Sequence, residues 1–193
     1  DVKRYRKLKL WWNLTLDEGL DRVAKIFSYR TLVSDEAKKL TYSEVNDQAT
    51  RLACRFLEVG LKPGDRVIMH MPNVVEFCPI FYALQRIGVV PIMGIPRHDS
   101  KELVDFGNIA GAVAWIGPSA YKKTNYLEML PEVKRKVPSL KHIIVVDGGP
   151  EKPGTISYHK LLSAVPEGRY ASDSLTKYRP DPDEPCVLIP TGG

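Results

Sequence analysis

The chain has 193 residues, of which 44% are hydrophobic and 26% charged, so it can bury a sizeable core and is too apolar for an intrinsically disordered protein. Its net charge is +5, and no apolar stretch is long enough to span a bilayer. No apolar segment of signal-peptide type follows its basic N-terminus, so we expect a cytoplasmic protein with no transmembrane segment.

Residues 1–14 are predicted to form a basic N-terminal arm, followed by an α/β unit over residues 15–193. The arm carries five positive charges, at Lys3, Arg4, Arg6, Lys7 and Lys9. Such a run can contact nucleic acid or an acidic membrane, although a solvated leader is the simpler interpretation, and no nucleic-acid partner is predicted. Trp11 and Trp12 directly after it predict a segment that packs onto another surface.

Helices and strands alternate from residue 41 onwards. Thr41 and Glu44 have capping-box spacing, the apolar residues that follow them recur at helical spacing, and Gly60 is suited to end the helix. The later elements are predicted as a strand over 66–71, a helix over 74–87 capped by Asn73, a strand over 89–93, a helix from a Ser100 cap through residue 109, a strand over 112–116, a helix over about 122–136, a strand over 143–146 and a short helix near 158–164.

This alternation predicts βαβ crossovers, and hence an α/β fold with a mostly parallel sheet and flanking helices. The strands are short and continuously apolar, which is typical of strands buried on both faces. Residues 148–154 and 179–185 are rich in proline and glycine, which indicates surface connections.

The sequence contains no recognisable metal or hydrolase site. The three cysteines, Cys54, Cys78 and Cys186, form neither a disulfide framework nor a zinc pattern, and reduced thiols are the simplest account of them. The histidines have no carboxylate or cysteine at ligand spacing, so no metal ligand is predicted. Neither a G-x-S-x-G nor a G-x-G-x-x-G motif is present, and no catalytic residue is assigned.

The last eight residues, C-V-L-I-P-T-G-G, are an apolar run that leads into threonine and two glycines. Such a strand and turn can wrap backbone N–H groups around phosphate oxygens, with the hydroxyl as a further donor. Thr191, Gly192 and Gly193 are therefore the candidate residues for binding the phosphates of a nucleotide. The alternative is a short edge strand that ends in flexible glycines.

Five ordered segments carry a resemblance to a known family. They are L-T-Y-S-E-V-N (40–46), G-L-K-P-G-D-R-V (60–67), M-P-N-V-V-E-F (71–77), A-L-Q-R-I-G-V-V-P-I (83–92) and I-P-R-H-D-S-K-E-L (95–103). Their order and spacing resemble the N-terminal part of the adenylate-forming superfamily, which includes acyl-CoA synthetases of fatty acid metabolism and aryl-acid AMP ligases. The resemblance covers roughly residues 15–193 and implies the N-terminal subdomain of an acyl-CoA synthetase-like fold.

The resemblance also implies a reaction. Family members form an acyl-AMP from ATP and a small carboxylic acid, then pass the acyl group to the thiol of CoA or a carrier, with Mg²⁺ on the ATP. It further implies that the chain stops partway through the ATP loop, and that the catalytic lysine and the acyl pocket belong to the remainder of the polypeptide. We therefore expect the 193-residue chain alone to be inactive, to bind ATP poorly and to self-associate through an uncovered apolar face.

The branch of the family stays open at this point. Pro96-Arg97 with Glu102-Leu103 fits many acyl-CoA synthetases, whereas the Thr-Gly-Gly ending and His98 resemble 2,3-dihydroxybenzoate-type AMP ligases, from which Asp99 departs. A solvent-facing turn is the simpler interpretation of Arg97 and His98. Outside the family, the alternatives are a stand-alone Rossmann-like module that binds a nucleotide or CoA, and an adaptor that works through the basic arm.

Overall fold

The computed structural model describes residues 1–148, 152–164 and 172–191. In these residues the strands are β1 (Thr31–Ser34), β2 (Lys39–Thr41), β3 (Arg66–His70), β4 (Val90–Gly94), β5 (Ala114–Gly117), β6 (Ala120–Tyr121), β7 (Thr124–Asn125), β8 (His142–Val145) and β9 (Ile156–Ser157). The central sheet has five strands in the order β4-β3-β5-β8-β9, and each strand pairs in parallel with the strand next to it. Two antiparallel hairpins, β1-β2 and β6-β7, stand apart from it. The predicted α/β fold with a mostly parallel sheet is confirmed.

Helices cover both faces of the sheet. They are α1 (Val2–Lys7), α2 (Leu16–Ile26), α3 (Tyr42–Val59), α4 (Phe77–Arg86), α5 (Ser100–Ala110), α6 (Tyr126–Lys136), α7 (Tyr158–Ser163) and a 3₁₀ segment, Ser172–Tyr178. One buried cluster joins α3, α4 and α7 to the sheet, and a second joins α5 and α6 to its other face. The result is a three-layer sandwich with the sheet in the middle.

The sheet contributes to both clusters because successive strand residues point to opposite faces. Along β3, Val67 and Met69 belong to the first cluster, and Ile68 between them belongs to the second. Trp115 of β5 is fully buried in the second cluster. Full burial of a large apolar side chain contributes about 1.5–3 kcal/mol, so these layers supply the main driving force for the fold.

The predicted limits of α3 are confirmed. The Thr41 hydroxyl accepts a hydrogen bond from the Glu44 amide, and the Glu44 carboxylate accepts one from the Thr41 amide at 2.7 Å. Gly60 ends the helix with φ +108°, a left-handed conformation that disfavours side chains with a Cβ atom.

The predicted start of α4 is wrong. The helix begins at Phe77 and its N-cap is Glu76, so Asn73 does not cap it. Asp35, from the β1-β2 hairpin, accepts a hydrogen bond from the Val75 amide at 3.0 Å. The Phe77 amide donates to the Val74 carbonyl at 3.1 Å, so the chain makes a turn at residues 75–76 ahead of the helix, and the Asp35 carboxylate satisfies an amide that the helix does not.

The predicted cap of α5 is also wrong, by one residue. Asp99, and not Ser100, is the N-cap, and it accepts hydrogen bonds from the amides of Lys101 and Glu102 at 2.9 and 3.1 Å. The Glu102 carboxylate accepts one from the Asp99 amide. Only position 99 has an acidic residue three positions later, which completes a capping box.

Two further predicted elements are shorter than expected. The helix predicted from residue 122 begins at Tyr126, because residues 120–125 form the β6-β7 hairpin with Lys122 at φ +53°. The apolar run at the C-terminal end pairs with the sheet only at a single parallel bridge between Leu188 and Ile92. Among the described residues, no helix is both long and apolar enough to cross a membrane.

Candidate functional site

The carboxyl ends of the parallel strands meet at one edge of the sheet. β3 ends at His70, β4 at Gly94, β5 at Gly117 and β8 at Val145, and their pairing is parallel throughout. In open α/β sheets ligands bind outside the carboxyl ends of the strands, where the order of the strands reverses. Here the reversal lies at β3, whose neighbours β4 and β5 are on opposite sides of it.

The C-terminal segment reaches this edge. The Leu188 amide donates to the Pro91 carbonyl and the Met93 amide donates to the Leu188 carbonyl, both at 2.9 Å. Since the bridge is parallel to β4, the chain continues from Leu188 towards the carboxyl ends of the strands. Thr191 follows three residues later and is exposed, whereas Gly192 and Gly193 lie outside the described residues.

A tight turn over residues 95–98 lies directly after β4. The His98 amide donates to the Ile95 carbonyl at 3.0 Å, and the His98 Nδ1 accepts from the Ile95 amide at 3.2 Å. The same carbonyl accepts from His70 Nε2 at 2.9 Å, and the Tyr126 hydroxyl donates to the Pro96 carbonyl at 2.7 Å. Two separate elements, β3 through His70 and α6 through Tyr126, therefore fix this turn at the edge of the sheet.

His70 is fully buried beneath the turn, where its ring lies 4.4 Å from that of Tyr126. Burial lowers the pKa of His70 to about 4, so the ring is neutral at pH 7. Its Nε2 carries the proton, because that nitrogen bonds a carbonyl oxygen. His70 Nδ1 and Trp115 Nε1 are buried without a hydrogen-bond partner in the described part of the chain. Sequence analysis predicted no metal-ligand role for the histidines, and it missed the contact of His70 with the turn.

The turn places Arg97 and His98 differently. Arg97 is exposed, as expected for a solvent-facing turn, and lines an open cleft of about 440 Å³ with residues of the β6-β7 hairpin, among them Lys122. His98 is only partly exposed, and its ring lies 4.9 Å from that of Phe106. His98 therefore closes the turn onto α5 and is not a free surface group.

A second cleft, of about 400 Å³, opens at the ends of β3, β5 and β8. Its charged side chains are already bonded within the protein. Lys38 pairs with Glu76, and Asp147 accepts hydrogen bonds from the amide and hydroxyl of Ser119. The polar side chains of this cleft therefore hold neighbouring loops together at the edge of the sheet.

Two polar side chains of α4 are linked to the C-terminal segment, Gln85 directly and Arg86 through Asp17, and sequence reasoning missed both. Gln85 and Arg86 are each 3% exposed, on a helix whose other buried residues are apolar or proline. Gln85 bonds Cys186, and Arg86 shares Asp17 with Arg179. The available signal was the position of two polar residues on the apolar stripe of a helix, because buried polar groups are almost always hydrogen-bonded.

The described residues contain no group of three or more histidine, cysteine, aspartate or glutamate side chains that could hold a metal ion. Cys54, Cys78 and Cys186 are free thiols. Near this edge the exposed residues include Arg97 and Thr191, and Lys122 lines the cleft beside Arg97. Cationic and hydroxyl side chains of this kind are donors suited to phosphate.

The family comparison agrees with this geometry. The family model of AMP-binding enzymes matches residues 20–193, and the chain belongs to that family.

Particular relatives are aryl-acid ligases. The chain is 36% identical over 145 residues to the 2,3-dihydroxybenzoate-AMP ligase of Bacillus subtilis, a match that covers 75% of this chain and 27% of that protein. It is 30% identical over 194 residues to the salicyl-AMP ligase / salicyl-S-ArCP synthetase of Mycobacterium tuberculosis, covering 98% of this chain and 33% of that protein. The apo structure of MbtA from Mycobacterium smegmatis superimposes with a TM-score of 0.85 at 29% identity, covering 99% of this chain and 34% of that one.

The chain thus spans about a third of the length of these relatives. The resemblance of the five sequence segments to the adenylate-forming superfamily is confirmed, as is the likeness to the 2,3-dihydroxybenzoate-type enzymes.

Proposed function

We propose that this chain is the N-terminal α/β part, over residues 15–193, of an ATP-dependent ligase that adenylates a small aromatic carboxylic acid. The observation that carries the proposal is the parallel bridge at Leu188, which directs the chain up to Thr191 towards the carboxyl edge of the sheet. The named relatives that adenylate dihydroxybenzoate and salicylate support the aromatic acid over a fatty acid.

The residues of the edge suit the phosphates of ATP. Thr191 is exposed and its hydroxyl has no hydrogen bond within the described part of the chain, so it is free to donate to a phosphate oxygen. Gly192 and Gly193 would add backbone N–H groups without a side chain to block close approach. Mg²⁺ on such a site is bound largely by phosphate oxygens and water, with few protein ligands.

In the proposed reaction a carboxylate oxygen of the acid attacks the α-phosphorus of ATP. The bond from that phosphorus to the bridging oxygen breaks, pyrophosphate leaves with the electron pair, and an acyl-AMP remains. A thiol, of CoA or of a carrier protein, then displaces AMP and forms a thioester. The role of this chain is to fix the triphosphate, because N–H and O–H donors held in position stabilise the charge that develops on phosphate.

We further propose that the 193-residue chain is inactive by itself and that the whole enzyme is cytoplasmic, since its three cysteines are free thiols. Residues 1–14 would form an arm that the α/β unit anchors. Arg6 supports this role, because its guanidinium pairs with the Asp183 carboxylate at 2.6 Å.

The test is ATP–pyrophosphate exchange by the protein translated from the uninterrupted reading frame that contains these residues. Salicylate, 2,3-dihydroxybenzoate and fatty acids of several lengths serve as substrates. We expect exchange with the aromatic acids, and a loss of about 10-fold in Thr191→Val, which removes one donor to a charged oxygen while keeping the shape of the side chain. Thr176→Val, at an exposed site of the 3₁₀ segment, is the matched control.

Three outcomes would change the proposal. Exchange with none of the acids would refute the ligase activity. Exchange that Thr191→Val leaves intact would refute the role of the hydroxyl. Micromolar binding of ATP or CoA to the 193-residue chain by calorimetry would favour a self-contained binding module instead.

A further inference from the structure

The end of α4 holds the segment that leads to Thr191. The Gln85 side chain, which is 3% exposed, donates its amide to the Cys186 carbonyl at 2.7 Å across 101 positions of the chain. A buried amide without a hydrogen bond would destabilise the fold by about 1–3 kcal/mol, so the folded protein strongly favours the bond between Gln85 and Cys186. Cys186 lies five residues before Thr191. Along the described part of the chain, no residue nearer to Thr191 in sequence takes part in a side-chain hydrogen bond.

Next to Gln85, Arg86 fixes the upstream part of the same segment. Arg86 Nε donates to Asp17 Oδ1 at 2.6 Å, and Arg179 Nε donates to Asp17 Oδ2 at 2.9 Å. The two guanidinium groups also share Asp21. Since Asp17 is fully buried, these bonds tie the chain at residue 179 to the side of α4.

In residues 187–191, the described part of the chain beyond Cys186, the hydrogen bonds that hold the segment join backbone groups. Leu188 makes its two hydrogen bonds to β4, after which Ile189 is 69% exposed and Thr191 is exposed. The position of Thr191 therefore depends on two neighbouring restraints, the Gln85 bond and the Leu188 bridge. If the Gln85 hydrogen bond is lost, the Leu188 bridge alone must fix both the position of this segment along β4 and its direction.

We propose that Gln85 is a positioning residue for the phosphate-binding segment: its hydrogen bond to the Cys186 carbonyl sets where Thr191 meets the phosphates of ATP. The part of this inference that concerns ATP rests on the proposed function, and the part that concerns the position of the segment does not. Gln85 is 3% exposed, so in this proposal it touches neither ATP nor the acid and acts through the main chain of residues 186–188.

The experiment compares the wild-type protein, translated from the uninterrupted reading frame, with Gln85→Met and Gln48→Met. Methionine keeps the length and the packing of glutamine but has no N–H donor. Gln48 on α3 is the matched control, because its side chain accepts a hydrogen bond from Tyr158 at 3.5 Å and forms no hydrogen bond with the described residues 172–191. Circular dichroism first shows that each variant is folded.

The first measurement is amide hydrogen exchange without ATP. In Gln85→Met the Leu188 amide should exchange about 2- to 10-fold faster, as expected for the loss of one supporting hydrogen bond, while Gln48→Met leaves that rate unchanged. An unchanged Leu188 rate in Gln85→Met overturns the inference. This arm needs no catalytic activity, so it is decided even if the protein is not a ligase.

The second measurement is the KM for ATP in pyrophosphate exchange. Misplacement of Thr191 should raise the KM for ATP several-fold and leave the KM for the acid unchanged, whereas a merely structural loss lowers the active fraction and changes neither constant. Equal KM values for ATP in the wild type and Gln85→Met overturn the inference. A wild-type protein without ATP–pyrophosphate exchange refutes the proposed function, and the hydrogen-exchange result then stands alone.

If Gln85→Met does not fold, Gln85→Asn replaces it with the same expected results. The amide of asparagine is one methylene too short to reach Cys186.

Discussion

His70 links the stability of the protein to pH. Its folded-state pKa is about 4 because of burial, whereas in the unfolded chain it titrates near 6.5. Between these values the unfolded chain binds a proton that the folded protein does not, so stability falls as the pH drops from 6.5 to about 4. The loss should reach about 3 kcal/mol, at roughly 1.4 kcal/mol per pH unit.

Urea unfolding at several pH values measures this loss. His70→Gln keeps an amide at the position of Nε2, so it can still donate to the Ile95 carbonyl, and it cannot titrate. We expect the free energy of unfolding of His70→Gln to vary less with pH across this window than that of the wild type. Parallel curves for the two proteins would show that His70 is not the group responsible.

The cap of α5 can be tested at two adjacent residues. Asp99 satisfies two amides of the first turn, so Asp99→Ala should lower the free energy of unfolding by about 1 kcal/mol. Ser100→Ala, at the position that the sequence pattern favoured, should change it by less than about 0.5 kcal/mol. Thermal or urea unfolding of both variants decides between the two positions, and equal losses would contradict the capping role of Asp99.

At the scale of elements, the parts that could be predicted are those whose partners are close in sequence. The Thr41–Glu44 box and Gly60 fix α3 from within a few residues, and the sequence locates them correctly. The start of α4 could not be predicted, because Asp35 bonds the Val75 amide from 40 positions away.

The same division applies to the candidate site. Thr191 is recognisable from a local pattern of an apolar run followed by threonine and glycine. Its anchor is not, because the hydrogen bond between Gln85 and Cys186 joins residues that only the packing of α4 against the sheet edge brings together. Sequence alone therefore suggests the proposed ligand-binding segment, but the residues that we propose to position it emerge from the fold.

The ionic network on α4 should be one of the most sensitive points of the fold. Arg86→Met would leave the fully buried Asp17 with Arg179 as its remaining guanidinium partner, and removing one member of a buried pair typically costs about 3–5 kcal/mol. Lys136→Met, which removes an exposed pair with Glu132, should have little effect. Urea unfolding of both variants measures the difference. Similar small losses would show that water or a rearranged side chain replaces Arg86.

At the scale of the whole molecule, the described surface carries several large apolar side chains that are exposed to water. Trp11 and Trp12 are 49% and 72% exposed beside the basic α1 helix, and Ile189 is 69% exposed next to the sheet edge. The relatives are about three times as long as this chain, so they have further chain with which to cover such surface. Large apolar patches that stay uncovered promote association.

We therefore expect the 193-residue chain, expressed alone, to self-associate as its concentration rises. Sedimentation velocity should show the change, and a dye that fluoresces on apolar surfaces should bind. Replacing Trp11 and Trp12 together by glutamine should weaken the association, because they are the largest exposed apolar pair. Ile109→Gln, at an 88% exposed isoleucine on α5, is the matched control and should not weaken it. A chain that stays monomeric at every concentration and binds no dye would mean that these side chains are tolerated in water, and that the uncovered face is smaller than the exposed residues indicate.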